Sequence, residues 1–139
     1  RLSRDFMGYT VRPARHLIGL GPSAIGEVGD AFVQNAPQLG AWQRAVDAGT
    51  LPAVRGHVLT AEDRRRRRVI LSLMCTLAVP DALLPPETPA LRAALDALAQ
   101  DGLIERGRGA LRVTSRGRFF LRNVCMAFDA TLGGQPVGD

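Results

Sequence analysis

Four prolines crowd into the ten residues from Pro80 to Pro89. Proline lacks the N–H that an interior helical turn needs and its ring clashes with the turn before it, so no α-helix runs through this stretch. The chain must therefore place helices on either side of a stiff connector. Upstream, Thr60 with Asp63 three residues on resembles a capping box, and Glu62 and Asp63 suit a helix amino terminus. Ile70, Leu73, Met74 and Leu77 then recur at helical spacing, which predicts a helix that stops at Pro80. Downstream, Thr88 can cap a helix with Pro89 at its first position, and Leu91, Ala94, Leu95 and Leu98 form its apolar face before Gly102 closes it. Leu103–Arg106 and Ala110–Thr114, joined by Gly107-Arg108-Gly109, read as a tight hairpin. A last helix is expected from about Ser115, with Leu121, Val124, Cys125 and Phe128 on one face.

Helix, connector, helix, hairpin and helix is the order of a winged-helix-like domain, expected over residues 57–131. Residues 1–36 lack a period and contain Pro13, so they read as an extended arm followed by a short strand or loop at Leu17-Ile18-Gly19-Leu20-Gly21. Over 37–56 a short helix at Gln38–Ala48, with Leu39, Trp42 and Val46 on one side, leads into a linker, and residues 132–139 should fray. The expected class is α+β, mainly α with one small β-hairpin.

With 139 residues and 46% hydrophobic content the chain can bury one modest core. Its apolar runs, such as Val69–Val79, fall short of the ~20 residues a membrane-spanning helix needs. The opening residues show no targeting segment, and a start at Arg1 suggests a piece of something longer. The net charge of +5 comes from arginine alone, since lysine is absent, a bias that genome composition can produce without a polyanionic partner. Two cysteines, Cys75 and Cys125, stand among apolar neighbours at helical spacing and read as small packed hydrophobes. A secreted domain of this size would carry a denser disulfide framework, so a reducing, cytoplasmic setting is expected.

Each motif has a plain structural explanation. Arg64–Arg68 could neutralise phosphates, but successive helical residues point about 100° apart, so the run wraps the helix and forms no single groove-facing stripe. Gly19-Leu20-Gly21-Pro22-Ser23-Ala24 fits a dinucleotide fingerprint in form only: Pro22 removes an N–H from the phosphate cradle and no βαβ unit follows. The glycines do allow a close approach to the backbone, by a ligand or another domain. His16 and His57 are isolated, Asp30 and Asp129 read as caps or surface acids, and two cysteines cannot ligate an iron–sulfur cluster. Local chemistry alone supplies no catalytic residue and no metal site.

Longer words in the sequence carry more. Phe6-Met7-Gly8-Tyr9-Thr10, then Leu17-Ile18-Gly19-Leu20-Gly21-Pro22-Ser23-Ala24-Ile25-Gly26, then Gly29-Asp30-Ala31-Phe32-Val33-Gln34-Asn35 resemble the oxygen-independent coproporphyrinogen III dehydrogenases in order and spacing. The likeness resumes at Arg55-Gly56, Leu59-Thr60, Leu73-Met74-Cys75 and Asp101-Gly102-Leu103. It is densest from Val113-Thr114-Ser115-Arg116-Gly117-Arg118 to Arg122-Asn123-Val124-Cys125-Met126-Ala127-Phe128-Asp129.

The resemblance implies the carboxy-terminal part of a radical S-adenosylmethionine enzyme of haem and porphyrin synthesis. Its amino-terminal barrel holds a [4Fe–4S] cluster and S-adenosylmethionine and oxidatively decarboxylates two propionates of coproporphyrinogen III to vinyl groups, giving protoporphyrinogen IX. The implied partners of this chain are that barrel and the substrate, in a monomeric protein, with neither membrane nor nucleic acid. The implied S-adenosylmethionine contacts are main-chain ones at Ile25 and Ala24. Met7 stands at the position near a second S-adenosylmethionine where the family has glutamine, and a thioether lacks an amide's donor and acceptor. After Cys75 the family's Arg-Leu-Asp word is replaced by Thr76-Leu77-Ala78 and a shortened connector. The fragment alone should hold no cofactor and be inactive. The competing readings are a winged-helix nucleic-acid-binding domain, for its basic hairpin, and a haem-handling paralogue.

Overall fold

The computed structural model describes residues 2–5 and 8–129 and shows two compact units, Arg1–Ala61 and Glu62–Asp139. In the first, strands β1 (Ser3–Asp5) and β2 (Gly8–Thr10) pair antiparallel. A three-stranded antiparallel sheet follows, in the order β3 (Ile25–Val28), β4 (Ala31–Asn35), β5 (Ala53–Val58). Gly29 and Asp30 make the two-residue turn between β3 and β4, with Gly29 at φ 59°, the left-handed conformation such turns require. Helix α1 (Leu39–Asp47) bridges β4 to β5, within the expected span, but none of its residues is buried.

The sheet content corrects the mainly-α expectation, because the described residues form eight strands in three small sheets beside four α-helices. Of the short strand or loop expected at 17–21, the loop forms, with Leu17 alone making one isolated bridge to Glu27. Residues 53–56, expected as linker, and 57–58, expected as the start of the winged-helix-like domain, together form β5 (Ala53–Val58). A short apolar run such as 17–21 carries no period to tell strand from loop, whereas Val54, Gly56 and Val58 do alternate with Arg55 and His57.

In the second unit, α2 (Ala61–Thr76) leads through Leu77, at φ 57°, into β6 (Ala78–Pro80). Leu77 accepts this left-handed turn as the helix ends, its N–H donating to the Leu73 carbonyl at 2.9 Å, and Ser72 Oγ donates to the Ala78 carbonyl at 2.7 Å. A single 3-10 turn (Asp81–Leu83) and the proline connector follow. Thr88 caps α3 (Pro89–Gln100) as expected, its hydroxyl accepting from the Leu91 N–H at 3.1 Å. The hairpin β7 (Ile104–Gly107) and β8 (Ala110–Val113) also forms as expected, and β6 joins it to give the order β6-β8-β7.

The closing helix starts later than expected, with a 3-10 turn at Gly117–Phe120 before α4 (Leu121–Met126). Tight packing explains the delay. Thr114 Oγ1 donates to the Gly102 carbonyl at 2.7 Å and accepts from the Gly117 N–H at 2.9 Å, which draws Gly117 against the Leu103 carbonyl. Val69, Leu73, Val79, Leu95, Leu111, Val124 and Phe128 make the core of this unit, all at 1% exposure or less. Among the described residues of the first unit the buried hydrophobic ones are Ala36 and Leu59.

Candidate functional site

The glycine-punctuated loop and β3 form one tightly crossed piece of backbone. Leu17 and Glu27 exchange both main-chain hydrogen bonds at 2.7 Å. Alternate residues of an antiparallel strand direct their N–H and C=O to the same edge, so Ile25, two residues before Glu27, presents its main chain to the side that Leu17 occupies. There Gly19 passes so close that a Cβ on it would lie 2.9 Å from the Ile25 carbonyl carbon and 3.0 Å from the Ala24 Cβ. A Cβ on Gly26 would lie 2.8 Å from the Leu17 oxygen. The close approach read from these glycines is in the first place that of the chain to itself.

Asn35 holds the crossing in place. Its Nδ2 donates to the Gly19 carbonyl at 3.1 Å and the Gly21 carbonyl at 3.0 Å, while its N–H donates to the Ala24 carbonyl at 3.0 Å. Ser23 turns the chain at φ 61° and donates its N–H to Ala36 at 3.1 Å. Ala24 therefore has its carbonyl engaged inside the fold, and Ile25, the other expected cofactor contact, turns its main chain to the side of β3 along which Leu17 and Gly19 run. Met7 lies outside the described residues. The dinucleotide fingerprint fails on geometry, because Gly19–Ala24 leads into a strand rather than a helix.

Beside this edge lies an open groove of about 570 Å³ whose lining includes Ile25, Phe32, Gln34, Arg55 and His57. The registers Ile25↔Gln34, Gln34↔Arg55 and Phe32↔His57 put these side chains on one face of the sheet. Sequence reasoning did not single out Gln34, Arg55 or His57 as site residues. The signal was the alternation of β5, which puts Arg55 and His57 on one face. His16 has a structural part, its Nδ1 accepting from the Gly29 N–H at 2.9 Å.

In the second unit Cys125 is buried in the core and Cys75 is partly buried, both as free thiols. Among the described residues no three His, Cys, Asp or Glu side chains are grouped to hold a metal ion. The arginine run is dispersed around α2, with Arg66 Nε on Glu62 at 2.9 Å and its guanidinium also donating to the Phe128 carbonyl at 3.3 Å. Glu87 binds Arg106 of the hairpin and Arg92 of α3. The hydrogen bond from Arg106 holds the Glu87 carboxyl below its ordinary range, more strongly than partial desolvation raises it.

Fold and groove define a class: an α+β chain with one well-packed unit and one open-faced unit whose groove is lined by an arginine. Residues 59–120 match the family described as the HemN C-terminal domain. The oxygen-independent coproporphyrinogen III oxidases of Salmonella typhimurium LT2 and Escherichia coli K12 are each 36% identical, over 94% of this chain and 30% of their own length. That of Cereibacter sphaeroides is 37% identical over 99% of this chain and 32% of its own length. A solved structure of coproporphyrinogen III oxidase (HemN) from Escherichia coli, described as a radical SAM enzyme, superposes with a TM-score of 0.80 at 34% identity, covering 94% of this chain and 32% of that one. The chain is thus similar, as its sequence words indicated, to the C-terminal portion of the oxygen-independent coproporphyrinogen III oxidases, and it spans about 30% of the length of the first of these relatives.

Proposed function

We propose that this chain is the covering and cofactor-contacting carboxy-terminal part of an enzyme that converts coproporphyrinogen III to protoporphyrinogen IX by oxidative decarboxylation of two propionates. The observation that supports this reading is the main chain of Ile25, turned to the side of β3 away from β4 and set beside the groove, in a crossing held by Asn35. In this reading Ile25 offers its N–H and C=O to S-adenosylmethionine, and Asn35 and Gly19 fix where that edge lies. An amino-terminal barrel holds the [4Fe–4S] cluster, and the cluster with S-adenosylmethionine supplies the radical chemistry. Cys75 and Cys125 sit on separate helices and do not fit the cluster.

The exposed apolar residues of the first unit support packing on that barrel. Ile18, Leu20 and Leu51 are 75%, 88% and 88% exposed, and the sheet face opposite the groove carries Val28 and Val58 at 49% and 73%. Such a surface needs a cover. We read the second unit, with sheet order β6-β8-β7 and helices α2 to α4, as winged-helix-like, and in this reading it closes over the flat substrate.

A nucleic-acid role fits less well. The outward side of α3, the helix a winged domain would lay in a groove, carries Ala90, Arg92, Ala93, Asp96, Ala97 and Gln100, and Arg92 is paired with Glu87. Arg106 of the hairpin is paired with the same carboxylate. We place the protein in the cytoplasm on its two free thiols, and no described helix is long and apolar enough to cross a membrane.

The test is anaerobic reconstitution of the full-length protein and of this chain alone. The full-length protein is expected to show iron–sulfur absorption and to form protoporphyrinogen IX, and this chain alone neither. Stoichiometric cluster binding by the fragment, or haem binding by the full-length protein without decarboxylation, overturns the proposal.

A further inference from the structure

Arg55 projects from β5 on the same face of the sheet as Ile25, with Gln34 between them in direct register with both. It is exposed and makes no hydrogen bond or ion pair with any described residue. This sets it apart from Arg66, Arg92 and Arg106, whose guanidinium groups are engaged by protein oxygens. The groove it lines pairs this free cation with the apolar side chains of Ile25 and Phe32. An apolar floor with a planar cation at its margin suits a ligand that is largely apolar and ends in a carboxylate, since guanidinium matches carboxylate through two parallel hydrogen bonds.

We propose that Arg55 is the carboxylate-receiving residue of this groove and positions the ligand whose body lies against Ile25. The inference rests on the function proposed above and deepens it. Two ligands of that reaction carry such a group: the tetrapyrrole, on its propionates, and S-adenosylmethionine, on its amino-acid end. Gln34 strengthens the site by geometry. Its amide nitrogen reaches toward the Ser23 carbonyl at 3.5 Å, which ties the neighbour of Arg55 to the loop that Asn35 secures. No proton or electron is assigned to Arg55, so it is a positioning residue.

The experiment uses the full-length protein with Arg55→Gln and Arg55→Lys. Binding is measured for coproporphyrin III and its tetramethyl ester, and for S-adenosylmethionine and methylthioadenosine, which lacks the amino-acid carboxylate. If the propionate is the partner, Arg55→Gln weakens coproporphyrin III about ten- to a hundredfold and leaves the ester and S-adenosylmethionine unchanged. If the cofactor is the partner, S-adenosylmethionine weakens by that factor while methylthioadenosine and the porphyrins do not. Arg55→Lys restores part of either loss, because an ammonium keeps the charge without the planar pair of donors. Either pattern supports the inference.

Arg55→Gln and Arg55→Lys that bind both carboxylate ligands like wild type overturn this inference alone. A wild-type protein that binds neither ligand class overturns the proposed function and this inference with it. Because Arg55 is exposed and unpaired, its variants should keep the wild-type melting temperature. Should Arg55→Gln not fold, the lysine variant makes the same comparison with a smaller expected loss.

Discussion

At Gly117 a single methyl group decides whether the closing segment can fold. A Cβ there would lie 1.9 Å from the Leu103 oxygen and 2.9 Å from Val113 Cγ1, so the backbone itself would have to move. Gly117→Ala should cost ~1–3 kcal/mol or more in denaturant unfolding, the range of an overpacked core. A wild-type midpoint and slope would show that the contact is not a constraint. The word Thr114-Ser115-Arg116-Gly117, dense in family likeness, is thereby explained by packing rather than chemistry. Asn35 offers the converse case, a polar side chain joining two carbonyls across the fold. Asn35→Ala should lower stability by ~1–2 kcal/mol and speed hydrogen exchange at Ser23 and Asn35 N–H. Unchanged exchange there would mean that the loop holds without it. Neither residue's task was legible beforehand, because the partners lie 14 to 16 positions away, at Leu103 for Gly117 and at Gly19 and Gly21 for Asn35.

Among the elements, the helices and the hairpin followed from local rules. Thr88 before Pro89 set the start of α3 through a side-chain cap, and Gly102 at φ 69° ended it. Thr88→Ala should therefore cost about 1 kcal/mol, read from thermal unfolding. Glu87, one residue earlier, ties the hairpin to α3 through Arg106 and Arg92. Its carboxyl is held below its ordinary value of 4.5, first by the Arg106 hydrogen bond. A lowered folded-state pKa gives stability that is present above the unfolded value and lost as pH falls through the folded one. Wild type should thus melt slightly above Glu87→Gln at neutral pH, and the gap should close below about pH 4.5. A gap that persists in acid would remove the charge from the explanation. Strands β3 to β6 were harder to read, because at three to six residues each they are stabilised by pairing that no local window contains.

Across the whole molecule the contrast is between a unit with a core and a unit without one. Phe128, fully buried, closes the second unit from the far end of the chain, so Phe128→Ala should cost ~3–5 kcal/mol. Residues 62–129 expressed alone should melt in one cooperative transition, whereas residues 1–61 should not, having among their described residues only Ala36 and Leu59 as buried apolar side chains. A sharp calorimetric transition from the first piece would contradict the claim that its exposed valines and leucines need an external cover.

By itself the sequence determined the local events: where helices cannot run, where they are capped, where a glycine turn reverses the chain, and which family the words resemble. These depend on interactions between residues a few positions apart, which composition and spacing encode directly. Only tertiary structure decided that Leu17 would turn off after one bridge, that β5 would bring Arg55 level with Ile25, and that β6 would complete the hairpin's sheet. Those outcomes depend on cross-strand register between distant segments, and a register is chosen by pairing and packing over the whole unit rather than by any one stretch of side chains.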